Sequence, residues 1–248
     1  HDSGGWASQA SSSASTASSG SGGGRISSEL RLPFVLLVVT AFCLHADQNL
    51  AAPNLSAIAE DFGMTPMQKD SRLGGMTQFG FFLIGGAVSL VVGPATDQVD
   101  RVNLLVAVIF AGAVPSLLMS LLVPSSKVGF FYFFLARVCA GIAVGGSFPV
   151  LFSLASDIFP PSQRAFVLSC ISAATNIGGA VGGIMAGIIG SRFGWRVPFR
   201  IVAVPSLICA VAVRLLLTDP RTAKKQQKAR EEASAIELNP AFLAWTGG

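Results

Sequence analysis

Two residues of opposite charge stand inside apolar runs long enough to cross a membrane: Arg137, in ARVCAGIAVGGSFPV, and Asp47, in AFCLHADQNLAAP. An unpaired arginine at a bilayer centre costs at least ~2.5 kcal/mol, so an intramembrane charge normally faces a bundle interior and finds an acidic partner. Counting along each run at 1.5 Å per residue puts Arg137 ~13 Å and Asp47 ~18 Å from the outer ends, which are compatible depths. A carboxylate held ionised beside a guanidinium, and released when it takes a proton, is the physical basis of a coupling switch. The same two residues would also serve as a purely structural ion pair.

The remaining polar residues are sparse. On the first run Thr40, Cys43, Asp47 and Asn54 form one stripe by 3.6-residue spacing, while His45, Asn49 and Ser56 lie nearly opposite. One stripe is expected to line a cavity; the candidates are Thr40 and Asn54, with Gln78, Ser169, Ser172 and Asn176 from other runs. Serine can equally satisfy its own helix backbone, and His45 reads as a satisfied polar residue near a helix end. No run carries a histidine cluster, paired carboxylates or a nucleophile beside a base, so an enzyme is not expected. Cys43, Cys139, Cys170 and Cys209 all sit in apolar runs, where they read as small buried hydrophobes with no disulfide, metal or cofactor.

What must position these residues is a membrane bundle. The chain is 51% hydrophobic, 12% charged and has a mean hydropathy of +0.62, far from a soluble domain. Six runs of about 20 residues or more extend over Leu32 to Ala59, Leu73 to Gly93, Val102 to Val123, Val128 to Leu154, Ala165 to Gly190 and Val197 to Leu217. Pro53 and Pro149 are expected as tolerated kinks. Residues 1–30, rich in Ser and Gly, read as a disordered tail; 31–217 as a six-helix transmembrane bundle; and 218–248 as a cytoplasmic segment with a solvated helix. The closing LNPAFLAWTGG is too short to span. With the N-terminus inside, ten basic residues (Arg25, Arg31, Arg101, Arg164, Arg214, Arg221, Lys224, Lys225, Lys228, Arg230) face the cytoplasm. Six (Lys69, Arg72, Lys127, Arg192, Arg196, Arg200) face outward, which places both termini inside. The net charge of +4 reflects this topology rather than a nucleic-acid surface. Which membrane holds the bundle, plasma or organellar, is not legible.

Glycine falls in rows. Gly179, Gly183 and Gly187 repeat every four residues in the fifth run, beside a second row of Gly178, Gly182, Ala186 and Gly190, and the second run has Gly85, Ser89 and Gly93. Such rows let backbones approach closely. They suit either ordinary packing or homodimerisation, or, the sharper expectation, contact with a second bundle.

Between the second and third runs, GPATDQVDR carries Gly93, Asp97 and Arg101 at the spacing of the cytoplasmic loop signature of the major facilitator superfamily, with Gln98 and Asp100 departing from it. Arg137, Gly141 and Gly145 resemble that superfamily's fourth-helix pattern and share one helical face. Asp157 and PPSQR, ending at Arg164, resemble the acid and basic loop that follow. GWRVPF resembles the turn into the sixth helix, and DPR at Asp219 to Arg221 the start of the central loop. DQNLAAPNLSAIAEDFG and the run after it are most similar to Spinster-type transporters, although Gln48 and Gly146 replace the expected Arg and Glu. The resemblance implies an all-α membrane protein, the N-terminal six-helix half of a major facilitator fold. It implies a secondary transporter working by alternating access, with a small-molecule or lipid-like substrate such as a lysolipid, protons as the coupled ion at Asp47 and Arg137, and a C-terminal six-helix half as partner. Asp97, Arg101, Asp157 and Arg164 would then latch the cytoplasmic face; Asp97 is also placed to favour a helix N-terminus through its dipole. An organic-anion or sugar carrier of the same superfamily, or a non-transporting scaffold or receptor-like protein, are the alternatives.

Overall fold

The computed structural model describes residues 27–237; the Ser- and Gly-rich tail before Ser27 and the LNPAFLAWTGG end lie outside the described residues. The chain forms α1 (Ser28–Gln48), a short 3₁₀ turn (Ala52–Asn54), α2 (Leu55–Asp61), α3 (Pro66–Gln68), α4 (Thr77–Gln98), α5 (Arg101–Leu122), α6 (Gly129–Ile158), α7 (Pro161–Phe193), α8 (Arg196–Leu216) and α9 (Pro220–Glu237). Six spans are long and apolar enough to cross a membrane, the first running over Ser28–Asp61 and the second over Pro66–Gln98.

Boundaries differ from the sequence expectation in ways with physical causes. The predicted tail runs too far, since α1 starts at Ser28. The first run is not one kinked helix. Pro53 has no N–H to give the carbonyl four residues back, at Asn49, and its ring crowds that group, so α1 stops at Gln48 and resumes only as α2. The second span begins at Pro66, where Thr65 closes a capping box with Gln68. It then passes through a wide turn over Lys69–Met76, so Lys69 and Arg72 are helical rather than looped. Arg164 also lies within a helix, in the first turn of α7, because Pro161 suits a helix start.

Packing follows a repeating scheme. α4 packs on α6 and α1 on α7; α5 packs on α6 and α1 on α8; α5 meets α8, and α1 meets α6. Exchanging the first three spans for the last three maps this set of pairs on to itself, the signature of an internal three-plus-three repeat. The two tightest pairs depend on glycine. A Cβ at Gly141 or Gly145 of α6 would run into the main-chain carbonyls of Phe81 and Gly85 on α4, and one at Gly178 or Gly182 of α7 into those of Phe42 and Ala46 on α1. The small rows at Gly85 and at Gly178, Gly182, Ala186 and Gly190 are therefore consumed inside the bundle, which corrects the expectation that both helices keep spare small faces for a second bundle. On α7, Gly179, Gly183 and Gly187 border more open ground, with the nearest non-local atoms to a Cβ belonging to Asn49 and Pro53.

Two apolar cores result. One, with Leu105, Ile109, Leu151, Leu154 and Ile171, fills the half of the bundle expected to face the cytoplasm. The other gathers Phe62, Phe133, Trp195 and Phe199 in edge-to-face contacts at the outer half. At that end Gly194, at φ 91°, turns the chain so that Trp195 and Arg196 meet α2, where Arg196 pairs with Asp61 at 2.7 Å.

Candidate functional site

The break after Gln48 leaves main-chain carbonyls without helical partners at the C-terminal end of α1, within the first span, where an unsatisfied buried group is costly. Arg137 meets them. Its Nη1 donates to Asp47 Oδ2 at 2.8 Å and to the Asp47 carbonyl at 3.2 Å, and its Nη2 donates to the Gln48 carbonyl at 2.9 Å. The guanidinium lies between the rings of Phe81 and Phe199, 5.2 and 5.7 Å from their centroids, a cation–π setting. Arg137 is 1% exposed and Asp47 13%. One side chain thus neutralises the carboxylate and caps the helix end.

Two asparagines complete the break. Asn54 Nδ2 donates to Leu50 and Ala186 carbonyls at 3.3 and 3.0 Å, and Asn49 Nδ2 to the Gly179 carbonyl at 3.1 Å. Each reaches α7 only because that helix is glycine-rich there.

Asp47 faces inward. With Leu44, Gly112, Ala143, Ala203 and Ser206 it borders a void of about 10 Å³, the size of a single water, and its Oδ1 has no hydrogen-bond partner among the described residues. A separate open cavity of about 500 Å³ lies in front, between α1, α4, α6 and α7, with His45, Gln48, Asn49, Phe81, Phe148 and Asn176 among its walls. Phe81 separates this cavity from Arg137.

The wall comes from the stripe of α1 that holds His45 and Asn49. Of the six cavity candidates only Asn176 lines it. Thr40 is 1% exposed in the bundle interior, Asn54 is buried on Ala186, and Gln78, Ser169 and Ser172 lie outside the lining. Thr40 turns into the bundle interior and Asn54 to α7, so neither borders this cavity. Sequence reasoning missed Gln48, Asn49, Thr175 and the three lining phenylalanines. The glycines at 85, 86, 141, 145 and 179, which thin the wall, were the signal that could have located them.

At the end of the bundle expected to face the cytoplasm, the predicted latch residues part company. Arg101, expected as a latch residue in the loop between the second and third runs, is fully buried at the start of α5. It binds Asp157, and its Nε donates to the Thr96 carbonyl at 2.9 Å. Arg221 binds the same Asp157 and, at 2.8 Å, Asp97. Asp219 accepts the main-chain N–H groups of Arg101 and Arg221, each at 2.9 Å, joining the starts of α5 and α9. Asp97 stands in the last turn of α4, not at a helix N-terminus, because α4 runs on to Gln98; the α5 cap is Asp100, which accepts from Asn103 at 2.9 Å. Arg164 stays apart, donating to the Phe159 carbonyl at 3.1 Å. Gly93 has nothing within reach of an added Cβ. Among the described residues no group of three or more His, Cys, Asp or Glu is placed to hold a metal ion.

Residues 37–247 match the sequence profile of the family described as Major Facilitator Superfamily. The chain is 27% identical over 217 residues to the hexuronate transporter of Bacillus subtilis, covering 85% of this chain and 46% of that protein. It is 28% identical over 193 residues to polyol transporter 5 of Arabidopsis thaliana, covering 75% of this chain and 33% of that one. The chain therefore spans less than half the length of these two relatives. Its fold is similar to that of a bacterial homolog to the human lysosomal transporter Spinster in an inward-facing, unoccupied conformation, with a TM-score of 0.65 and 19% identity over 79% of this chain and 44% of that one. It is likewise similar to a D-xylose-proton symporter, with a TM-score of 0.67 and 14% identity over 89% and 56%.

Proposed function

The chain belongs to the Major Facilitator Superfamily, a family of integral, multi-pass membrane transporters rather than enzymes, and on that premise we propose that it supplies one six-helix half of a proton-coupled secondary transporter for a small organic solute. The observation that carries this reading is the contact of Arg137 with both the Asp47 carboxylate and the end of α1. While Asp47 is ionised, charge and helix-end hydrogen bonds together hold α1 against α6. When Asp47 takes a proton the ion-pair attraction goes, leaving the two carbonyl contacts and a weaker hydrogen bond to the neutral carboxyl. His45, Gln48 and Asn49 ride on the same helix end and form one wall of the cavity. A proton on Asp47 thereby biases the position of that wall, which is what alternating access requires of a coupling residue.

A second six-helix half closes the cavity from its open side in this reading, and Asp97, Asp157, Arg101 and Arg221 secure the cytoplasmic end in one of the two states. The relatives named for hexuronate, polyol and D-xylose transport favour a hydrophilic organic solute over a lysolipid. The test is uptake by the full-length protein in proteoliposomes, with a panel of glucuronate, xylitol, D-xylose and a lysophospholipid, with and without a pH gradient. Gradient-stimulated uptake of one member supports the reading; uptake of none, with the protein correctly inserted, points to a scaffold or receptor-like role.

A further inference from the structure

The walls of the 500 Å³ cavity carry an unusual hydrogen-bond polarity. His45 Nδ1 is 2.9 Å from the Ala41 carbonyl. A carbonyl has no proton to give, so Nδ1 carries the hydrogen, and in the neutral ring Nε2 is a bare acceptor. Nε2 is buried, with no partner among the described residues, on a side chain that is 4% exposed and lines the cavity. Its ring is held edge-on to Phe148, with centroids 4.9 Å apart, so it cannot easily turn away.

The neighbours repeat the pattern. Asn49 uses its amide N–H on the Gly179 carbonyl. Thr175 Oγ1 donates to the Ser172 carbonyl at 2.7 Å, and Asn176 Nδ2 donates to the same oxygen at 2.8 Å. Thr175 spends its one O–H in the bundle, while each asparagine spends one of its two amide N–H groups there and keeps its carbonyl oxygen and second N–H, a set that suits hydroxyl groups, which both donate and accept. No acidic or basic side chain lines the space, and the nearest cation, Arg137, is covered by Phe81 and occupied by Asp47 and Gln48.

We propose that His45 Nε2 is a ligand-binding acceptor, and that with Asn49, Thr175 and Asn176 it recognises the hydroxyl groups of a neutral, polyhydroxylated solute. The inference rests on the transport reading above and deepens it. A carboxylate would find no lysine or arginine among the lining residues to balance its charge, so an anionic group is disfavoured at this wall. A cation would find no carboxylate, and the outer face of Phe81 already carries a guanidinium. The faces of Phe82 and Phe148 offer apolar surface for the C–H side of a sugar-like ring.

Binding of D-xylose, each of its mono-O-methyl ethers, glucuronate and choline to the full-length protein in nanodiscs tests this. Wild type is expected to bind D-xylose and to lose roughly tenfold or more on methylation of one particular hydroxyl, the cost of leaving a buried acceptor without its donor. His45→Phe, which keeps an aromatic ring against Phe148, should bind D-xylose and that ether equally. His45→Gln restores an acceptor at similar reach and should regain part of the discrimination; it also serves if the Phe variant misfolds. Undiminished discrimination in both variants overturns the role of His45. Tighter wild-type binding of glucuronate or choline than of D-xylose, or no binding of D-xylose at all, overturns the neutral hydroxylated class. Failure of the transport reading shows differently, as absence of gradient-driven uptake for every solute in the panel.

Discussion

His45 and Asp47, two residues apart on α1, open on to different spaces: His45 lines the 500 Å³ cavity, and Asp47 the water-sized void behind it. Two residues turn an α-helix by about 200°, so in the proposed reading the solute contact and the proton site share one helix end without sharing a compartment, and coupling between them would run through the position of α1, which Arg137 holds.

Arg137 should matter more than Asp47 for stability. Asp47→Asn leaves the guanidinium its two carbonyls and two aromatic rings, whereas Arg137→Ala strands a buried carboxylate together with the Asp47 and Gln48 carbonyls. Breaking a buried pair from one side costs about 3–5 kcal/mol. Thermal unfolding in detergent should show a large fall in Tm for Arg137→Ala, a smaller one for Asp47→Asn, and partial recovery for Arg137→Lys, which restores charge without the planar fork.

The two glycine rows of α7 should separate cleanly. Gly182→Leu drives a side chain into the Ala46 carbonyl and should abolish folded, monodisperse protein. Gly183→Leu, where a Cβ meets only the Asn49 Cβ at 3.7 Å, should leave the six helices inserted and folded while disturbing transport by the full-length protein. Size-exclusion profiles and uptake of the two variants check this. Equal loss of folded protein in both would contradict the assignment of one row to the bundle and the other to its open side.

At the cytoplasmic face, Arg101 and Arg221 share Asp157 but differ in exposure, 0% against 48% at the side chain. Arg101→Ala should lower the Tm strongly, since it removes a fully buried side chain and takes a donor from the Thr96 carbonyl. Arg221→Ala should change stability by about 1 kcal/mol or less, as solvent-screened pairs do. If Arg221 acts in the latch, its loss should instead alter transport rate. Similar Tm changes for both would contradict this ranking.

Topology has its own check. Cysteines placed beside Lys127 and beside Arg164 should label from opposite sides of the membrane, following the basic-residue bias. Labelling from one side would remove the six-span arrangement.

Much of the architecture was legible because spanning helices must be long and apolar, so composition alone marked six runs. Depth was enough to pair Asp47 with Arg137, since few charges lie within the spans. Less was legible at the break in α1, because a proline acts on the carbonyl four residues behind it, and Pro53 marks an interruption that begins at Asn49. The cavity wall was misjudged for a related reason. A polar stripe looks the same whether it faces a ligand or satisfies a neighbouring helix, and Thr40 and Asn54 turn to the protein interior while His45 and Asn49 form the wall. The burial of Arg101 was not legible, because Asp219, which accepts its N–H, lies 118 residues away. The glycine rows announced close approach without saying to what, and only the packing of α7 on α1 and of α6 on α4 assigned them.

The central claim is that Asp47 carries the coupled proton. Its most direct test is uptake, into proteoliposomes of the full-length protein, of the solute that the panel identifies, comparing wild type with Asp47→Asn with and without an imposed pH gradient. An amide keeps the shape of the side chain and does not titrate. The account expects gradient-driven accumulation in wild type and its loss in Asp47→Asn, with passive exchange retained in the variant. Equal gradient-driven accumulation by both would contradict it and leave the Asp47–Arg137 pair as a structural clamp on the end of α1.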